Sequence, residues 1–308
     1  MAHDAEQPPA LTDAEAAERI HARFPSLATA RVVRLGEGTD HQAFEVAGRY
    51  VFRFPKSGEA AEHLKWEARL LAWLEPRLPL PVPDYRFLAP PAADLAVGFA
   101  GYEKLPGTPA LLVVPEQLDL SDLGRRLGAF LGALHALAPA EAGALGVPAD
   151  DDPELEAWSA AAVDDLRLAV EHGHVERHLA AAWEQRLRVR PTEGRGEPRL
   201  VHGDFAAEHV LVDAHGAPTG VIDWSDACVG DPARDFAGLL HWGGADMLTA
   251  ALETYGAVSP AVLTRARWFA ACRAVADIAF GQTQGRPEYI AAGQRALTGL
   301  GKPLPFDA

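Results

Sequence analysis

Residues 199–240 limit the possible folds and functions of this chain more than any other segment, because acidic residues follow directly after short apolar runs there. The letters LVHGD place Asp204 in a loop just beyond a short strand. The letters HVLVDAHGAPTGVID, residues 209–223, predict a hairpin with a turn in the middle. Such a hairpin brings His209 and Asp223 together near the loop that carries Asp204.

These side chains are of the kinds that phosphoryl transfer requires. The reaction needs an acceptor for the proton of the nucleophile, and ligands for one or two magnesium ions that bridge the phosphates. In protein kinases the motif H-R-D-x-x-x-x-N, followed by D-F-G, supplies these groups. Here the corresponding letters are HGD, which ends at Asp204, then His209, then DWS, which begins at Asp223. The tripeptide HGD is a weak signal alone, but the groups in this order indicate a kinase.

The first third of the chain predicts a small antiparallel sheet with helices. Thr12, followed three residues later by Glu15, is a capping box that begins an alanine-rich helix. A meander of three strands is predicted by β-branched and aromatic runs around residues 30–35, 43–47 and 50–54. A helix follows from about residue 59, and residues 98–107 predict one further strand and a turn.

The rest of the chain predicts mainly helices. Apolar residues recur at helical spacing over residues 119–137, 154–190 and 245–300. The expected fold class is therefore α+β. We expect two lobes, at residues 1–103 and 104–308.

The composition is that of a globular chain with an acidic surface. Acidic residues outnumber basic ones by 43 to 28, and the formal net charge is −15. This charge argues against nucleic acid and anionic membranes as partners and favours a cationic one, although it can also serve only solubility. Cys228 and Cys272 lack CxxC companions, which argues against a disulfide framework or a zinc site. The sequence shows neither a signal peptide nor a membrane span, so we expect a cytoplasmic monomer.

The segment 199–240 resembles the aminoglycoside phosphotransferase family. The resemblance is carried by HGDxxxxH, IDWSDA and GDPARDFA, and it extends from about residue 30 to residue 300. It is strongest to the branch of aminoglycoside 2''-phosphotransferases and macrolide phosphotransferases. It implies a protein-kinase-like fold in which residues 1–103 form the nucleotide-binding lobe and residues 104–308 the catalytic and substrate-binding lobe. It also implies Asp204 as the catalytic base or the residue that orients the hydroxyl, and Asp223 as the main Mg²⁺ ligand. His209, where most of the family has asparagine, would be the second metal ligand, although magnesium prefers oxygen to imidazole nitrogen.

The same resemblance implies residues that bind ATP or GTP, between which the sequence does not decide. The loop that covers the triphosphate would contain Gly36, Gly38 and Thr39. The cation that contacts the phosphates would be Arg53, with Glu67 as its acidic partner. The hinge residues whose backbone contacts the nucleotide base would be Glu103 and Leu105. Arg53 stands where the family often has lysine, so Lys56 is the alternative phosphate contact. Support is expected from His202, which would hold the loop of Asp204, and from Asp235, which would cap a helix or bind the loop backbone.

The acceptor that the resemblance implies is a small-molecule antibiotic with a hydroxyl group. Glu208, Asp226 and Asp277 are the candidate acids for its amines, and the net charge favours an aminoglycoside over a macrolide. A macrolide, a peptide antibiotic, and a choline-like or sugar substrate of a metabolic kinase are the alternatives. A nucleotide-binding protein without transfer is the alternative from a different class, because Arg53 and His209 depart from the commonest family pattern.

Overall fold

Strands dominate the first part of the chain and helices the second, as the sequence predicted. The computed structural model describes residues 10–38, 40–92, 95, 97–150, 152, 154–193 and 196–302. Contacts between residues divide the chain into two units. Unit 1 comprises residues 1–77 and 81–105, and unit 2 comprises residues 78–80 and 106–308.

Unit 1 contains a five-stranded antiparallel sheet and two α-helices among its described residues. In chain order these are α1 (Asp13–Arg23), β1 (Val32–Glu37), β2 (His41–Val46), β3 (Tyr50–Pro55), α2 (Gly58–Leu74), β4 (Tyr85–Ala89) and β5 (Phe99–Glu103). The strand order is β1-β2-β3-β5-β4, with every neighbouring pair antiparallel. The two predicted helices are present as α1 and α2, and the predicted meander is present as β1, β2 and β3.

The start of α1 and the core of unit 1 follow from local sequence. The Thr12 hydroxyl accepts the backbone N–H of Glu15 at 3.2 Å, and the Glu15 carboxylate accepts that of Thr12 at 2.7 Å, which completes the capping box. Phenylalanine rings of the sheet cluster with Ile20 of α1. Among them, Phe54 and Phe99 stack with ring centroids 4.4 Å apart. The apolar face of α1 therefore closes the core of this sheet.

Strand β4 is an element that the sequence analysis did not predict. It follows the proline-rich residues 79–84, which by themselves indicate only the end of the preceding helix. In the structure β4 lies at the edge of the sheet, and among the described residues its one pairing partner is β5. Only Tyr85 and Ala89 of its five residues are buried. The alternation of buried and exposed residues is therefore too short to predict a strand from the sequence.

Unit 2 is mainly helical. Its elements in chain order are β6 (Thr108–Pro109), α3 (Leu120–His135), α4 (Pro139–Ala144), α5 (Glu156–Glu171), α6 (Arg177–Arg188), β7 (Arg199–Val201), β8 (Val210–Val212), β9 (Pro218–Val221), β10 (Cys228–Gly230), α7 (Ala233–Tyr255), α8 (Pro260–Gln284) and α9 (Pro287–Leu300). Helix α8 packs against α5, α7 and α9, and α3 packs against α7. Because its neighbours surround α8, buried residues occur on all its sides. No helix within the described ranges is both long and apolar enough to cross a bilayer.

Two small sheets position the segment that the sequence singled out. Strand β7 pairs with β10, and β8 lies between β6 and β9. The predicted hairpin is present as β8 and β9, with Val210 opposite Val221. The loop from β7 to β8 and the turn from β9 to β10 therefore run between the same two sheets and lie side by side.

Candidate active site

The loop at residues 202–209 is held closely from two sides. Gly203 has a φ of +83°, which most side chains avoid, and a Cβ there would lie 2.1 Å from the carbonyl oxygen of Asp226. A Cβ on Gly238 of α7 would lie 1.5 Å from the carbonyl oxygen of Phe205. Backbone approaches backbone at both points, so this packing requires glycine. The position of Asp204, which lies between Gly203 and Phe205, is thereby set.

Asp235, fully buried in the first turn of α7, binds the backbone of this loop. Its carboxylate accepts the N–H of His202 at 2.9 Å and that of Gly203 at 3.0 Å. It also accepts the Nε2–H of His135 at 3.0 Å. Burial raises the pKa of Asp235, but the hydrogen bond and charge of His135 outweigh burial, so the pKa lies below its ordinary value. Of the two contacts that the sequence left open for Asp235, the structure contains the one with the loop backbone.

His202 is fully buried and links the loop to the neighbouring turn. Its Nδ1 accepts the N–H of Asp204 at 3.3 Å, so Nε2 carries the proton and donates it to the carbonyl of Ile222 at 3.0 Å. Burial lowers the pKa of His202, in agreement with a neutral ring. His202 therefore connects the loop that carries Asp204 to the turn that carries Asp223.

The β8–β9 hairpin places His209 between two carboxylates. The N–H of Ile222 donates to the carbonyl of His209 at 2.9 Å, which pairs the ends of the two strands. Nδ1 of His209 lies 3.4 Å from Oδ2 of Asp204, and Nε2 lies 3.6 Å from Oδ2 of Asp223. These three side chains, which the sequence selected, form one group that we call the Asp204 cluster.

The charges in the Asp204 cluster stabilise one another. Burial lowers the pKa of His209, but the negative charges of Asp204 and Asp223 outweigh burial and raise the pKa to about 9. Burial raises the pKa of Asp204, but the positive charges of Arg273 and His209 outweigh it, so this pKa is lowered. The negative charges therefore favour the protonated imidazole, and a metal ion bound at Nε2 would have to displace that proton.

Asp223 has an unusual backbone conformation. Its φ of +62° lies in the left-handed region, which aspartate tolerates better than most residues do. The Ser225 hydroxyl donates to Oδ1 of Asp223 at 3.0 Å, and 43% of the Asp223 side chain is exposed. Conformations of this kind persist only where the surrounding structure enforces them, and they concentrate at functional sites.

The donors around Asp223 fit a magnesium ion that is held partly by phosphate oxygens. Within the described ranges, no group of three or more His, Cys, Asp or Glu side chains is arranged to hold a metal alone. Magnesium bound with a nucleotide needs only one or two protein carboxylates, because phosphates and waters supply the other ligands. Nδ1 of His209 donates to the carbonyl of Asp204 at 2.8 Å, so Nε2 is the nitrogen on the side of Asp223. Asp223 therefore fits the ion, and His209 has one nitrogen near it.

Arg273 of α8 belongs to this site, although the sequence analysis did not select it. One guanidinium nitrogen donates to the carboxylate of Asp204, and the other donates to Oε1 of Glu208 at 2.9 Å. Burial opposes the charge of Arg273, but the two carboxylates outweigh burial and raise its pKa. A signal was present, because Arg273 is the one charged residue in the apolar helical stretch 268–276, where a charge needs a partner.

The three acids predicted to bind the acceptor lie in different surroundings. The Glu208 side chain is 15% exposed and bound to Arg273. The Asp277 side chain is 10% exposed and lies 3.2 Å from Nε2 of His241. Asp226 is exposed, in the turn that touches the 202–209 loop. Of these three acids, Asp226 is the most exposed residue, and burial of its carboxyl together with the negative charges of Asp204 and Asp223 raises its pKa to about 6.

In unit 1, Arg53 of β3 and Glu67 of α2 form a buried ion pair. Nη1 of Arg53 lies 2.6 Å from Oε1 of Glu67, and their side chains are 10% and 0% exposed. The Tyr85 hydroxyl accepts from Arg53 at 3.0 Å and donates to Glu67 at 3.3 Å. Nη2 of Arg53 donates to Nδ1 of His41 at 3.2 Å. Arg53 is therefore the cation that contacts Glu67.

Lys56, the alternative cation, contacts the glycine turn. Its Nζ lies 2.6 Å from Oε1 of Glu37 and donates to the carbonyl of Gly38 at 2.7 Å. Neither Gly36 nor Gly38 has a positive φ, and among the described residues a Cβ would meet no atom nearer than 3.9 Å. The fold itself therefore does not require glycine at these positions, and the open space suits a loop that phosphate approaches closely. Thr39 lies outside the described residues.

The two predicted hinge residues lie at the end of unit 1. Glu103 is the last residue of β5, and its exposed carboxylate lies 3.1 Å from Nε of Arg49. Leu105 is the last residue of the unit. Their backbone contacts with a nucleotide base stay a prediction.

Sequence comparison finds relatives over most of the chain. Residues 6–269 match the profile of the phosphotransferase enzyme family, APH. The chain is 29% identical over 197 residues to uncharacterized protein YcbJ of Bacillus subtilis (strain 168). This match covers 61% of this chain and 61% of the Bacillus protein, which is less than two thirds of either.

Solved structures share the fold over nearly the whole chain. The GDP and kanamycin complex of APH(2")-IIia is 27% identical, with a TM-score of 0.68, and the match covers 92% of this chain and 96% of that one. Macrolide 2'-phosphotransferase type I is 26% identical, with a TM-score of 0.63, and the match covers 94% of this chain and 99% of that one. These similarities confirm the predicted kinase-like fold class.

Proposed function

The chain belongs to the phosphotransferase enzyme family, and on that premise we propose that it phosphorylates a hydroxyl group of a small-molecule antibiotic. The phosphoryl donor is a nucleoside triphosphate with bound magnesium. The observation that carries the proposal is the Asp204 cluster, in which His209 lies 3.4 Å from Asp204 and 3.6 Å from Asp223. Phosphoryl transfer to a hydroxyl requires a proton acceptor and a metal ligand near each other, and this cluster offers both.

Asp204 acts on the acceptor hydroxyl. Its carboxylate orients the O–H group toward the terminal phosphorus of the donor. The carboxylate takes the proton as the new O–P bond forms and the bond to the bridging oxygen of the nucleoside diphosphate breaks. The lowered pKa of Asp204 makes it a weak base. A weak base suffices because the transition state of phosphoryl transfer is loose and places little demand on proton removal.

Asp223 holds the magnesium ion, with His209 as the second protein ligand. When bound, the ion would neutralise negative charge on the phosphates. Asp223 supports this role with an exposed carboxylate on an enforced backbone conformation. His209 is held by its bond to the carbonyl of Asp204, so the base and a metal ligand belong to one loop.

Residues of unit 1 bind the nucleotide in this proposal. Arg53, buried against Glu67, contacts the α- and β-phosphates, and the open turn at Gly36 and Gly38 covers the triphosphate. Lys56 contacts that turn directly and is the alternative phosphate ligand. The GDP in the complex of the structural relative supports GTP as a donor, and ATP is the other candidate.

The first candidate acceptor is a cationic aminoglycoside. The net charge of −15 favours a polycation at long range. Asp226, an exposed residue, adjoins the loop that carries Asp204. A structural relative that is 27% identical binds kanamycin, which supports the same class of acceptor.

A macrolide is the second candidate, and the surroundings of two acids favour it. Glu208 is bound to Arg273, and Asp277 lies 3.2 Å from Nε2 of His241. An ammonium group that used either acid would have to replace its present partner. A macrolide carries a single amine and depends less on such acids. Macrolide 2'-phosphotransferase type I has the same fold at 26% identity, which supports this alternative.

The test is a nucleotide-consumption assay with ATP and GTP against kanamycin, erythromycin, a peptide antibiotic and choline. Mass spectrometry of the acceptor should detect one added phosphate. Asp204→Ala should lower turnover by about 10² to 10⁴-fold and leave the Kd of the magnesium nucleotide within about threefold. Asp223→Ala should also weaken nucleotide binding, as measured by calorimetry.

Two outcomes would contradict the proposal. Near-normal turnover of Asp204→Ala would show that the base is assigned wrongly. Nucleotide binding without transfer to any acceptor would favour the non-catalytic alternative.

A further inference from the structure

Separate contacts hold the backbone and the carboxylate of Asp204. The backbone of its loop is held by Asp235 and by the close approaches at Gly203 and Gly238. None of these contacts sets the direction of the carboxylate, which can still rotate about two side-chain bonds. That direction matters, because a misplacement of about 1 Å can lower a reaction rate by about 10²-fold.

Arg273 makes the contact that sets this direction. One guanidinium nitrogen donates to Oδ1 of Asp204, while Oδ2 lies 3.4 Å from Nδ1 of His209. The other nitrogen donates to Glu208 at 2.9 Å, which prevents the guanidinium from turning. We propose, on the basis of the proposed function, that Arg273 is a positioning residue for phosphoryl transfer. It directs the carboxylate of Asp204, and Glu208 anchors Arg273.

The surroundings make this contact stiff. Helix α8 is packed against α5, α7 and α9, so the backbone that carries Arg273 is held on several sides. The side chains of Arg273 and Glu208 are 17% and 15% exposed, so solvent screens their interaction weakly. A planar guanidinium holds two carboxylates in fixed directions at once, whereas the ammonium group of lysine is a point charge without that geometry.

A second buried arginine on α8 provides a matched control. Nε of Arg265 lies 2.5 Å from Oδ2 of Asp231, and both side chains are almost fully buried. Arg265 also donates to the carbonyl of Pro191. It precedes Arg273 by about two helical turns, and its carboxylate partner lies outside the Asp204 cluster. Arg265→Lys therefore measures the effect of disturbing a buried ion pair on the same helix.

The experiment compares Arg273→Lys, Glu208→Gln and the double variant with the wild type. Arg273→Lys should lower kcat by about 10- to 100-fold and leave the KM for the magnesium nucleotide within about threefold. Glu208→Gln should lower kcat by about 3- to 10-fold, because the arginine keeps its charge but loses its anchor. The double variant should be no slower than Arg273→Lys, because Glu208 acts through Arg273. Arg265→Lys should lower the thermal midpoint and leave kcat within about twofold of wild type.

Three kinetic results would overturn the inference. One is a kcat of Arg273→Lys within about twofold of wild type, since Arg273 would then be a structural ion pair only. Another is a double variant in which the two losses multiply, because Glu208 would then act independently. If Arg273→Lys does not fold, Glu208→Gln decides alone, and an unchanged kcat in that variant overturns the inference.

A measurement without turnover separates this inference from the proposed function. In crystals of the wild type the Asp204 carboxylate should have one direction, and in Arg273→Lys it should have a different one or several. A wild type that phosphorylates no acceptor would end the proposed function. An Asp204 carboxylate in Arg273→Lys that keeps its wild-type direction would end the inference and leave the proposed function intact.

Discussion

The carboxylates of Asp204 and Asp223 flank one imidazole, yet the chain holds them by different means. Asp204 is fixed through its side chain by Arg273, on a loop whose backbone is also held. Asp223 is fixed through its backbone, in the left-handed conformation, and nearly half of its side chain is exposed. A directed base and an accessible metal ligand are the two different requirements of phosphoryl transfer.

His209 leads to a prediction about metal preference. In His209→Asn the amide can still donate to the carbonyl of Asp204, and its oxygen is the ligand type that magnesium prefers. We expect kcat with magnesium to stay within about tenfold of wild type, and the ratio of magnesium-supported to manganese-supported turnover to rise. Steady-state rates over a range of each metal measure both quantities.

The control for this variant is His215→Asn, which changes an exposed histidine in the turn of the β8–β9 hairpin. It should leave the metal preference unchanged. Complete loss of turnover in His209→Asn at saturating magnesium would mean that His209 has a role other than that of a metal ligand.

At the scale of elements, α3, α7 and the 202–209 loop meet at one carboxylate. Asp235 lies in the first turn of α7, where the helix dipole favours a negative charge. It faces His135 of α3 and the backbone of the loop. Gly238, almost one turn further along α7, lets the carbonyl of Phe205 touch the helix. The loop of Asp204 therefore depends on where α3 and α7 lie.

Asp235→Asn should destabilise this junction in a pH-dependent way. We expect the free energy of unfolding at neutral pH to fall by about 3 kcal/mol, because the two backbone N–H groups and His135 lose a charged acceptor. The pKa of Asp235 is lowered in the folded chain. Its stabilisation is therefore complete above the pKa of an unfolded aspartate, about 3.9, and is lost as pH falls through the lower folded value. The difference from wild type should shrink below about pH 4, as measured by denaturant titration.

Asp122→Asn is the matched control, because Asp122 also lies in the first turn of a helix, α3. It pairs with Arg126 at 2.7 Å, and both side chains are about half exposed. Its loss should change the free energy of unfolding by less than about 0.5 kcal/mol. A deficit of Asp235→Asn that stays constant down to about pH 3 would contradict a stabilising role of the Asp235 charge.

At the scale of the whole molecule, the acidic excess separates the two candidate acceptors. The chain carries a net charge of −15, yet Glu208 is bound to Arg273 and Asp277 lies 3.2 Å from Nε2 of His241. A polycation would therefore be attracted mainly by the summed field of the chain and by Asp226. Such attraction is screened by salt, whereas contacts with an apolar acceptor are not.

We expect the KM for kanamycin to rise about tenfold between about 0.05 M and about 0.5 M potassium chloride, because salt shortens the range of the field. The KM for erythromycin should change less than about twofold over the same range. Initial rates at saturating nucleotide measure both. Turnover of erythromycin together with none of kanamycin would establish the second candidate, and a KM for kanamycin that ignores salt would contradict the electrostatic argument.

Much of the fold and of the Asp204 cluster could be predicted because the signals lie close together in the chain. The capping box joins residues three apart, and the hairpin pairs Val210 with Val221 across a short turn. Strand β4 gave no such signal, because its hydrogen bonds come from β5 after an intervening loop. For Arg273 the sequence showed only that a charge in an apolar stretch needs a partner, and it did not show which one, since 69 residues separate Arg273 from Asp204.

Local patterns were enough to specify most of the elements and the α+β class, because periodicity, capping and turn formation act over a few residues. The order of the motifs in residues 199–240, and the family resemblance that they carry, selected the two aspartates. Packing selected the partners that no motif indicated. It left Lys56 with the glycine turn, and it brought α8 to the loop so that Arg273 meets Asp204. A buried charge must be paired, but which partner it has depends on distant elements that come together only in the folded chain.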